Sequence, residues 1–384
     1  NIISSKIKTT EKSKICGFSG DLINMESLYI FKEFFNKILD SKNFESRDDH
    51  LYLNSEKREN YIFNSTINGI ENSDFIFLVG TNPRYEATML NARIRKAYLQ
   101  NNVKIISLNN LGDLTYPYTS LNGSSEVIKE IIEKKHKISD CILEAKKPLV
   151  ILGQSVLSSK SGKYIFESLK KFLYENNKCT EKWNSFNVIS NNASTVGSYD
   201  LGIYQNLDGL NSILTNLQNH KFDFVYLLGQ DNLNFKKENE FIIYIGSHGD
   251  EGAKLADIIL PGASFAEQDG HYTNLEGKIQ KAYQGSYPPG QAKEDWKIIN
   301  DLSELLKRKK LFKHKSELVD SMMNYLKLNK RENNIIEKDV SFVSEKITVD
   351  PIDYYFSNVI ARASKTMFEC RREKIKIEKT GTEG

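Results

Sequence analysis

Short apolar runs alternate with amphipathic stretches along most of the chain, a pattern that predicts buried parallel strands covered by helices on both faces. The clearest unit begins with the apolar run Phe-Ile-Phe-Leu-Val at residues 75–79, which ends at Gly80. Asn82 is placed to cap the next helix, and Pro83 stands at its first position, where a missing N–H costs nothing. The helix is predicted to reach about residue 100, and the next strand spans residues 103–108. Together they predict a β-α-β unit, whose crossover is nearly always right-handed.

The same alternation continues on both sides of this unit and predicts an α/β fold with a mostly parallel sheet. Further strands are predicted at residues 15–18, 149–152, 186–189, 222–228, 241–245 and 257–260. Predicted helices follow a cap at Asp21, cover residues 125–146, 163–175, 294–308 and 316–328, and begin once more at Asp350. Three strands end in glycine, at Gly80, Gly153 and Gly229. Ligands in such sheets bind beyond the carboxyl ends of the strands, where these glycines lie.

Changes of character along the chain predict five segments. Residues 1–14 are a polar arm, and residues 15–147 and 148–262 form two successive α/β lobes. Residues 263–328 contain glycine-rich loops, a hairpin around residues 274–277 and helices, and residues 329–384 form a charged linker, a last helix and a charged tail.

The net charge and the lengths of the apolar runs argue against direct binding to nucleic acid and against a membrane-spanning helix. The 53 basic and 50 acidic side chains leave a net charge of +3, without the basic excess that is typical of nucleic-acid binding. The longest apolar runs are far shorter than the roughly 20 residues of a membrane-spanning helix. We therefore expect no nucleic-acid partner, and contact with a membrane only through other proteins.

The cysteines do not form a recognisable metal-binding motif. Cys16, Cys141, Cys179 and Cys370 are far apart in sequence, whereas zinc and iron–sulfur sites normally take two thiolates from one tight loop. His248 and His271 lie near several acidic residues in the loop-rich region, but a metal needs three or four convergent ligands. Ordinary buried thiols and polar loop side chains are the favoured interpretation, so we expect no metal site.

The turn from Gly80 to Pro83 is the strongest candidate binding element. A strand, a tight turn and a helix start present free backbone N–H groups and a positive dipole end, which could cradle the phosphate of a nucleotide. A well-capped turn with no ligand fits the same residues. Neither the dinucleotide fingerprint GxGxxG nor the phosphate-binding GxxxxGK[ST] motif is present, so the sequence leaves both interpretations open.

Several segments carry distinctive sequences in a fixed order along the chain. They are Leu-Val-Gly-Thr-Asn-Pro-Arg-Tyr-Glu-Ala at 78–87, Gly-Ser-His-Gly-Asp-Glu-Gly-Ala at 246–253, Ala-Asp-Ile-Ile-Leu-Pro-Gly-Ala at 256–263, Tyr-Thr-Asn-Leu-Glu-Gly at 272–277 and Ile-Ala-Arg-Ala-Ser-Lys-Thr-Met at 360–367. Together, over about residues 15–372, they resemble one family, the large iron–sulfur (75 kDa-type) subunit of respiratory complex I, NADH:ubiquinone oxidoreductase. The likeness is to its C-terminal, molybdopterin-oxidoreductase-like part.

The resemblance implies two Rossmann-like parallel-sheet lobes of the formate dehydrogenase/DMSO reductase type, followed by C-terminal helices. In active members of that wider class, three segments help to bind a pterin dinucleotide. Their counterparts in this chain are Gly80, Asn82, Pro83, Asp257, Pro261, Asn274, Glu276 and Gly277. Residue 278 departs from the pattern, because it is Lys where the family usually has Arg, and lysine lacks the planar two-pronged donor.

The family's implied role is structural. In complex I this part is regarded as having lost its metal cofactor, and iron–sulfur clusters belong to an N-terminal part of the large polypeptide. We therefore expect a scaffold without catalytic, cofactor or metal-binding residues, in the arm that oxidises NADH. The expected partners are the N-terminal iron–sulfur half and the flavoprotein module, on the matrix side of the mitochondrial inner membrane or on the bacterial cytoplasmic face.

Two further expectations follow from the resemblance. Because the chain has no iron–sulfur cysteine cluster and its first lobe looks like an incomplete molybdopterin-type fold, we expect a subunit that is split between two polypeptides, or a fragment. The alternative function is an active molybdopterin-dependent oxidoreductase fragment of the formate dehydrogenase type, which would bind a pterin and molybdenum.

Overall fold

Two five-stranded parallel sheets form the two lobes of the fold. The computed structural model describes residues 1–46, 51–204, 212–329, 340–349 and 351–380. The chain first lays down β1 (Ile15–Ser19) and β2 (Phe44–Glu45) of the first sheet. It then builds the whole second sheet, and afterwards it returns to complete the first.

The second sheet has the strand order β5-β4-β3-β6-β7, in which every neighbouring pair is parallel. Its strands are β3 (Phe75–Val79), β4 (Lys104–Ser107), β5 (Thr119–Ser120), β6 (Pro148–Leu152) and β7 (Phe186–Val188). In β3, Phe75, Phe77 and Val79 face one apolar cluster while Ile76 and Leu78 face another. Both faces of the sheet are therefore covered, as the uninterrupted apolar run predicted.

The first sheet has the order β10-β9-β8-β1-β2, also parallel throughout. The strands that complete it are β8 (Phe224–Leu228), β9 (Phe241–Gly246) and β10 (Ile258–Pro261). An antiparallel hairpin of β11 (Gly270–Thr273) and β12 (Ile279–Ala282) follows, and it confirms the turn expected around residues 274–277.

The pairing of the strands corrects the predicted boundary between residues 147 and 148. β6 lies beyond that boundary but pairs with β3, and β1 lies before it but pairs with β8. The sequence pattern marks strands without marking their partners, so two successive lobes were the simplest division. The α/β class and the presence of two parallel-sheet lobes are confirmed.

The helices cover the faces of the two sheets. They are α1 (Ile2–Thr9), α2 (Met25–Phe34), α3 (Pro83–Glu86), α4 (Thr88–Asn101), α5 (Ser125–Ile132), α6 (Lys137–Glu144), α7 (Gln154–Leu157), α8 (Gly162–Glu175), α9 (Thr195–Asp200), α10 (Ile213–Gln218), α11 (Glu251–Leu255), α12 (Asp295–Lys307), α13 (Lys315–Leu328), α14 (Val359–Ala363) and α15 (Lys365–Thr380). In the described parts of the chain, no helix is both long and apolar enough to cross a membrane.

Three local details differ from the predictions, and a fourth prediction cannot be compared with the structure. The predicted arm contains α1, whose Ile3 and Ile7 join the core of the first lobe. Asn24, and not Asp21, caps α2 by accepting the N–H of Ser27. The helix predicted at 125–146 is divided into α5 and α6 near Lys134, which has a φ of +59°. Asp350, the predicted start of the last helix, lies outside the described residues.

Candidate functional site

Gly80 ends β3 in a sharp turn that has no room for a side chain. Its φ is +61°, and a Cβ placed there would lie 2.5 Å from the Cβ of Val156. In α3, the side chain of the N-cap Asn82 accepts the N–H of Arg84 at 3.2 Å, and Pro83 takes the first helical position. The predicted strand, tight turn and helix cap are confirmed, but the single helix predicted to about residue 100 is interrupted at Ala87, between α3 and α4.

A carboxylate of the same chain binds the donors at this turn. The N–H of Asn82 donates to Glu86 Oε1 at 2.6 Å, and the hydroxyl of Thr81 donates to Glu86 Oε2 at 3.0 Å. Donors at the start of a helix are what a phosphate would bind, so the geometry favours the capped turn over the phosphate cradle. The sequence analysis missed Glu86, which lies four residues after the N-cap and therefore one residue beyond the position of the capping-box glutamate.

Asp257 lies at the amino end of β10, away from the sheet edge at which ligands bind in this type of fold. Its carboxylate accepts the N–H of Ile242 and the ammonium group of Lys237, both at 2.7 Å. Burial opposes ionisation of the carboxyl, but these two donors outweigh it and lower the pKa of Asp257. Asp257 therefore fastens the start of β10 to the start of β9.

Pro261 ends β10 beside Gly246 of β9, at the carboxyl edge of the first sheet. Its carbonyl accepts the N–H of Lys293 at 3.1 Å. Because β10 is an edge strand, a proline there costs no ladder hydrogen bond.

Asn274, Glu276 and Gly277 form the tip of the β11–β12 hairpin. Asn274 Oδ1 accepts the N–H of Lys278 at 2.8 Å, and Gly277 has a φ of +82°. The tip reaches the second lobe, where Glu276 Oε2 accepts the N–H of Ile67 at 3.0 Å. The pKa of Glu276 is lowered, first by that backbone donor and also by Lys278.

The same hairpin is fastened to both lobes by charged side chains. Arg58 of the second lobe donates to the Gly277 carbonyl at 2.6 Å and holds both oxygens of Asp200, at 2.9 and 2.8 Å. On the first lobe, the carboxylate of Glu26 receives the N–H of His271 at 2.8 Å and lies 2.6 Å from its Nδ1. These hairpin residues therefore act as a clamp between the lobes.

The eight predicted positions belong to three different elements of the fold. The turn at residues 80–83 belongs to the second sheet, Asp257 and Pro261 lie at opposite ends of an edge strand of the first sheet, and residues 274–277 bridge the lobes. His248 Nδ1 lies 2.9 Å from the Ser247 hydroxyl. Among the described residues, no group of three or more His, Cys, Asp or Glu side chains could hold a metal ion.

The sequence analysis also missed a set of buried acidic groups at the carboxyl edge of the first sheet. Asp231 follows β8 and accepts the Tyr244 hydroxyl at 2.8 Å and the Gly252 N–H at 3.2 Å. Burial raises the pKa of Asp231. Nearby, burial and the charge of Glu294 raise the pKa of Asp295 to about 7.

Two family models match successive parts of this chain. A family model described as molybdopterin oxidoreductase matches residues 1–305. The chain belongs to the molybdopterin oxidoreductase family. A second model, described as the C-terminal part of the G subunit of NADH-ubiquinone oxidoreductase, matches residues 332–370.

Several relatives of this chain are named as subunits of NADH-quinone or NADH-ubiquinone oxidoreductase. The chain is 36% identical to the NADH-ubiquinone oxidoreductase 75 kDa subunit of Reclinomonas americana, over 96% of this chain and 57% of that protein. It is 34% identical to the G subunit of NADH-quinone oxidoreductase from Rickettsia bellii, over 99% and 55%. It is 35% identical to the mitochondrial 78 kDa subunit of NADH-ubiquinone oxidoreductase from Candida albicans, over 96% of this chain and 54% of that protein. The chain thus spans a little over half the length of these relatives.

Solved structures of distant sequence share the fold of this family member. The formyltransferase/hydrolase complex of Methylorubrum extorquens matches with a TM-score of 0.58 at 11% identity, over 80% of this chain and 94% of that one. Acetylene hydratase of Pelobacter acetylenicus matches with a TM-score of 0.57 at 11% identity, over 84% and 60%. At this identity, the likeness concerns the fold alone.

The residues of this chain do not fit the pterin dinucleotide that the family implies. The donors of the turn at residues 80–83 are bound by Glu86, and the hairpin tip is bound by Arg58 and by the Ile67 N–H. A dinucleotide would have to displace these contacts.

Proposed function

We propose that this chain is the structural, C-terminal part of the large iron–sulfur subunit of NADH:ubiquinone oxidoreductase. In this role it holds the cluster-bearing part of that subunit in the peripheral arm, and it carries no redox centre of its own. The names of its relatives and the second family model, at residues 332–370, support this assignment.

The observation that supports the structural role concerns the positions that the family resemblance assigned to cofactor binding. In this chain, these residues form hydrogen bonds with other residues of the same chain. Glu276 and Gly277 join the hairpin to the second lobe, and Glu86 closes the turn at Asn82. Groups that are bound to each other in this way stiffen the fold, and a ligand would have to break these contacts to bind the same groups. A rigid body is what a scaffold requires.

The partners follow from the same proposal. We expect the chain to contact the N-terminal iron–sulfur half of the large polypeptide and the flavoprotein module. Its place would be the matrix side of the inner membrane in a mitochondrion, or the cytoplasmic face of the membrane in a bacterium. Electrons from NADH would pass through clusters in neighbouring parts and bypass these residues.

A native gel tests the assembly role. Membranes of the source organism are solubilised gently, the band with NADH dehydrogenase activity is cut out, and its polypeptides are identified by mass spectrometry. We expect peptides of this chain in that band at the same abundance as those of the flavoprotein module. Recovery of the chain only at the position of a free protein, while the active band lacks it, would refute the proposal.

A further inference from the structure

Residues 342–349 and 351–376, named here the C-terminal strap, lie against the carboxyl edges of both sheets. These edges are where ligands bind in open parallel α/β sheets. The molybdopterin oxidoreductase model ends at residue 305, whereas the second family model matches residues 332–370. Most of the strap is therefore outside the part that this chain shares with cofactor-binding oxidoreductases.

The first portion of the strap is bound to the second lobe by backbone hydrogen bonds. The N–H of Ile347 donates to the Gly123 carbonyl at 2.7 Å, and the N–H of Ser125 donates to the Glu345 carbonyl at 3.0 Å. Glu345 Oε1 also accepts the N–H of Ser161 at 2.6 Å. The Ile347 side chain is only 2% exposed and belongs to the core of the lobe, so it anchors the strap.

The strap then covers the edge of the second sheet. An open recess lies there, and Asn82, Glu86 and Leu111 line one side of it. Val349, Ile352 and Lys374 of the strap line the other side. The strap thus faces Asn82 of the turn across this recess.

Helix α14 of the strap covers the edge of the first sheet. Val359 and Ile360 line a shallow open recess together with Gly229, Asp231 and Gly246. Arg362 of the same helix pairs with Asp250. Arg362 thus lies beside Asp231 as well as Asp250 at this edge.

The strap also has internal contacts that keep its two helical parts together. The rings of Phe356 and Phe368 stack with centroids 6.2 Å apart, and the Arg371 guanidinium lies 4.7 Å from the centre of the Phe356 ring. The Asn358 side chain caps α14 by accepting the N–H of Ala361 at 3.0 Å. The strap can therefore cover the edge as a folded unit.

We propose that the C-terminal strap is the intramolecular occupant of the carboxyl edges of the two sheets and holds itself across them. Ile347 is its anchor on the second lobe, and Arg362 is its latch on the first. This proposal does not rest on the assembly role, because it is tested on the isolated chain.

Hydrogen exchange of the full chain tests the latch. We expect Arg362→Gln to raise amide exchange at residues 229–232 and 246–252 by at least about fivefold, because local opening of the edge becomes easier. Arg372→Gln is the matched control, since this exposed arginine pairs only with its neighbour Glu373 among the described contacts. A rise confined to the edge supports the proposal. A rise shared equally by the core strands at 75–79 and 224–228, or one no larger than in the control, overturns it.

Cleavage of the folded chain tests the anchor independently. A protease site is inserted after residue 334, the folded protein is cut, and the products are separated by gel filtration without denaturant. We expect the strap fragment to elute with the body in the parent chain, and to be lost when Ile347→Asp and Arg362→Gln are combined. Loss of the fragment from the cut parent chain would contradict the proposal, as would its retention in the double variant.

Discussion

The carboxylate of Glu86 accepts the backbone N–H of Asn82 at 2.6 Å, at the start of a helix, where backbone donors favour an anion. A second oxygen of the same group binds the Thr81 hydroxyl. The chain therefore supplies its own anion at this turn. The turn at residues 80–83, which carries part of the family's sequence motif, is thus stabilised by a contact within the chain.

Glu86→Gln tests the strength of that contact. The amide can still accept one hydrogen bond but loses its charge, so we expect a loss of about 1–2 kcal/mol in the free energy of unfolding. Urea denaturation measures it. Glu175→Gln is the control, because Glu175 is exposed and its ion pair with Lys171 is long at 3.8 Å. Equal stability of both variants would show that Glu86 contributes nothing to the turn.

Arg58→Lys tests the clamp between the hairpin and the second lobe. Lysine keeps the charge but cannot hold both oxygens of Asp200 and the Gly277 carbonyl at once, so we expect about 2 kcal/mol of destabilisation. Amide exchange in residues 270–282 should rise in parallel. Arg372→Lys, at an exposed position, should leave both quantities unchanged, and a similar effect of the two variants would argue against the clamp.

Gly80→Ala separates backbone strain from steric conflict. Gly112 also has a positive φ, +70°, but a Cβ there would meet nothing within 4 Å. Gly112→Ala should therefore cost only the backbone strain of about 1–2 kcal/mol. Gly80→Ala should cost about 1–3 kcal/mol more, because its Cβ would press against Val156. Thermal and urea unfolding of the two variants provide the comparison, and equal losses would contradict it.

Asp295 makes stability depend on pH in a defined direction. Burial raises its pKa from 3.8 to about 7 in the folded chain, with a smaller contribution from Glu294. The folded state thus holds this proton more tightly than the unfolded state, so its contribution is complete below about pH 4 and is lost as pH rises towards 7.

Asp295→Asn removes this titration while the amide can still accept from Gln268. We expect the stability of the variant relative to the parent chain to rise steadily between about pH 4 and pH 7. Urea unfolding at several pH values measures it. Asp320→Asn, at an exposed position on α13, should show no such trend. A difference for Asp295→Asn that is independent of pH would refute the assignment.

Local sequence patterns were sufficient for the long buried strands of the fold. The runs at 75–79 and 224–228 are apolar without interruption, because parallel strands bury both faces, and the structure has strands at those residues. The two-residue strands β2 and β5 were missed, since a pair of residues carries no period. The interleaving of the two sheets was missed as well, because pairing depends on contacts between distant segments.

The candidate site shows the same division between local and distant information. The capped turn at Gly80, Asn82 and Pro83 was predicted correctly, since caps and turns are local. The partners of Glu276 and Gly277 lie more than two hundred residues away, at Ile67 and Arg58, and no periodicity could reveal them. The use of these residues as fastenings therefore emerged only from the folded structure.

Metal analysis of the assembled protein tests the central claim most directly. The band with NADH dehydrogenase activity is purified without denaturant, and its molybdenum and tungsten are quantified by mass spectrometry against the amount of this chain. The account predicts far less than one atom of either metal per chain. A ratio near one, retained after gel filtration, would show that this part of the large polypeptide holds a working cofactor and would contradict the scaffold role.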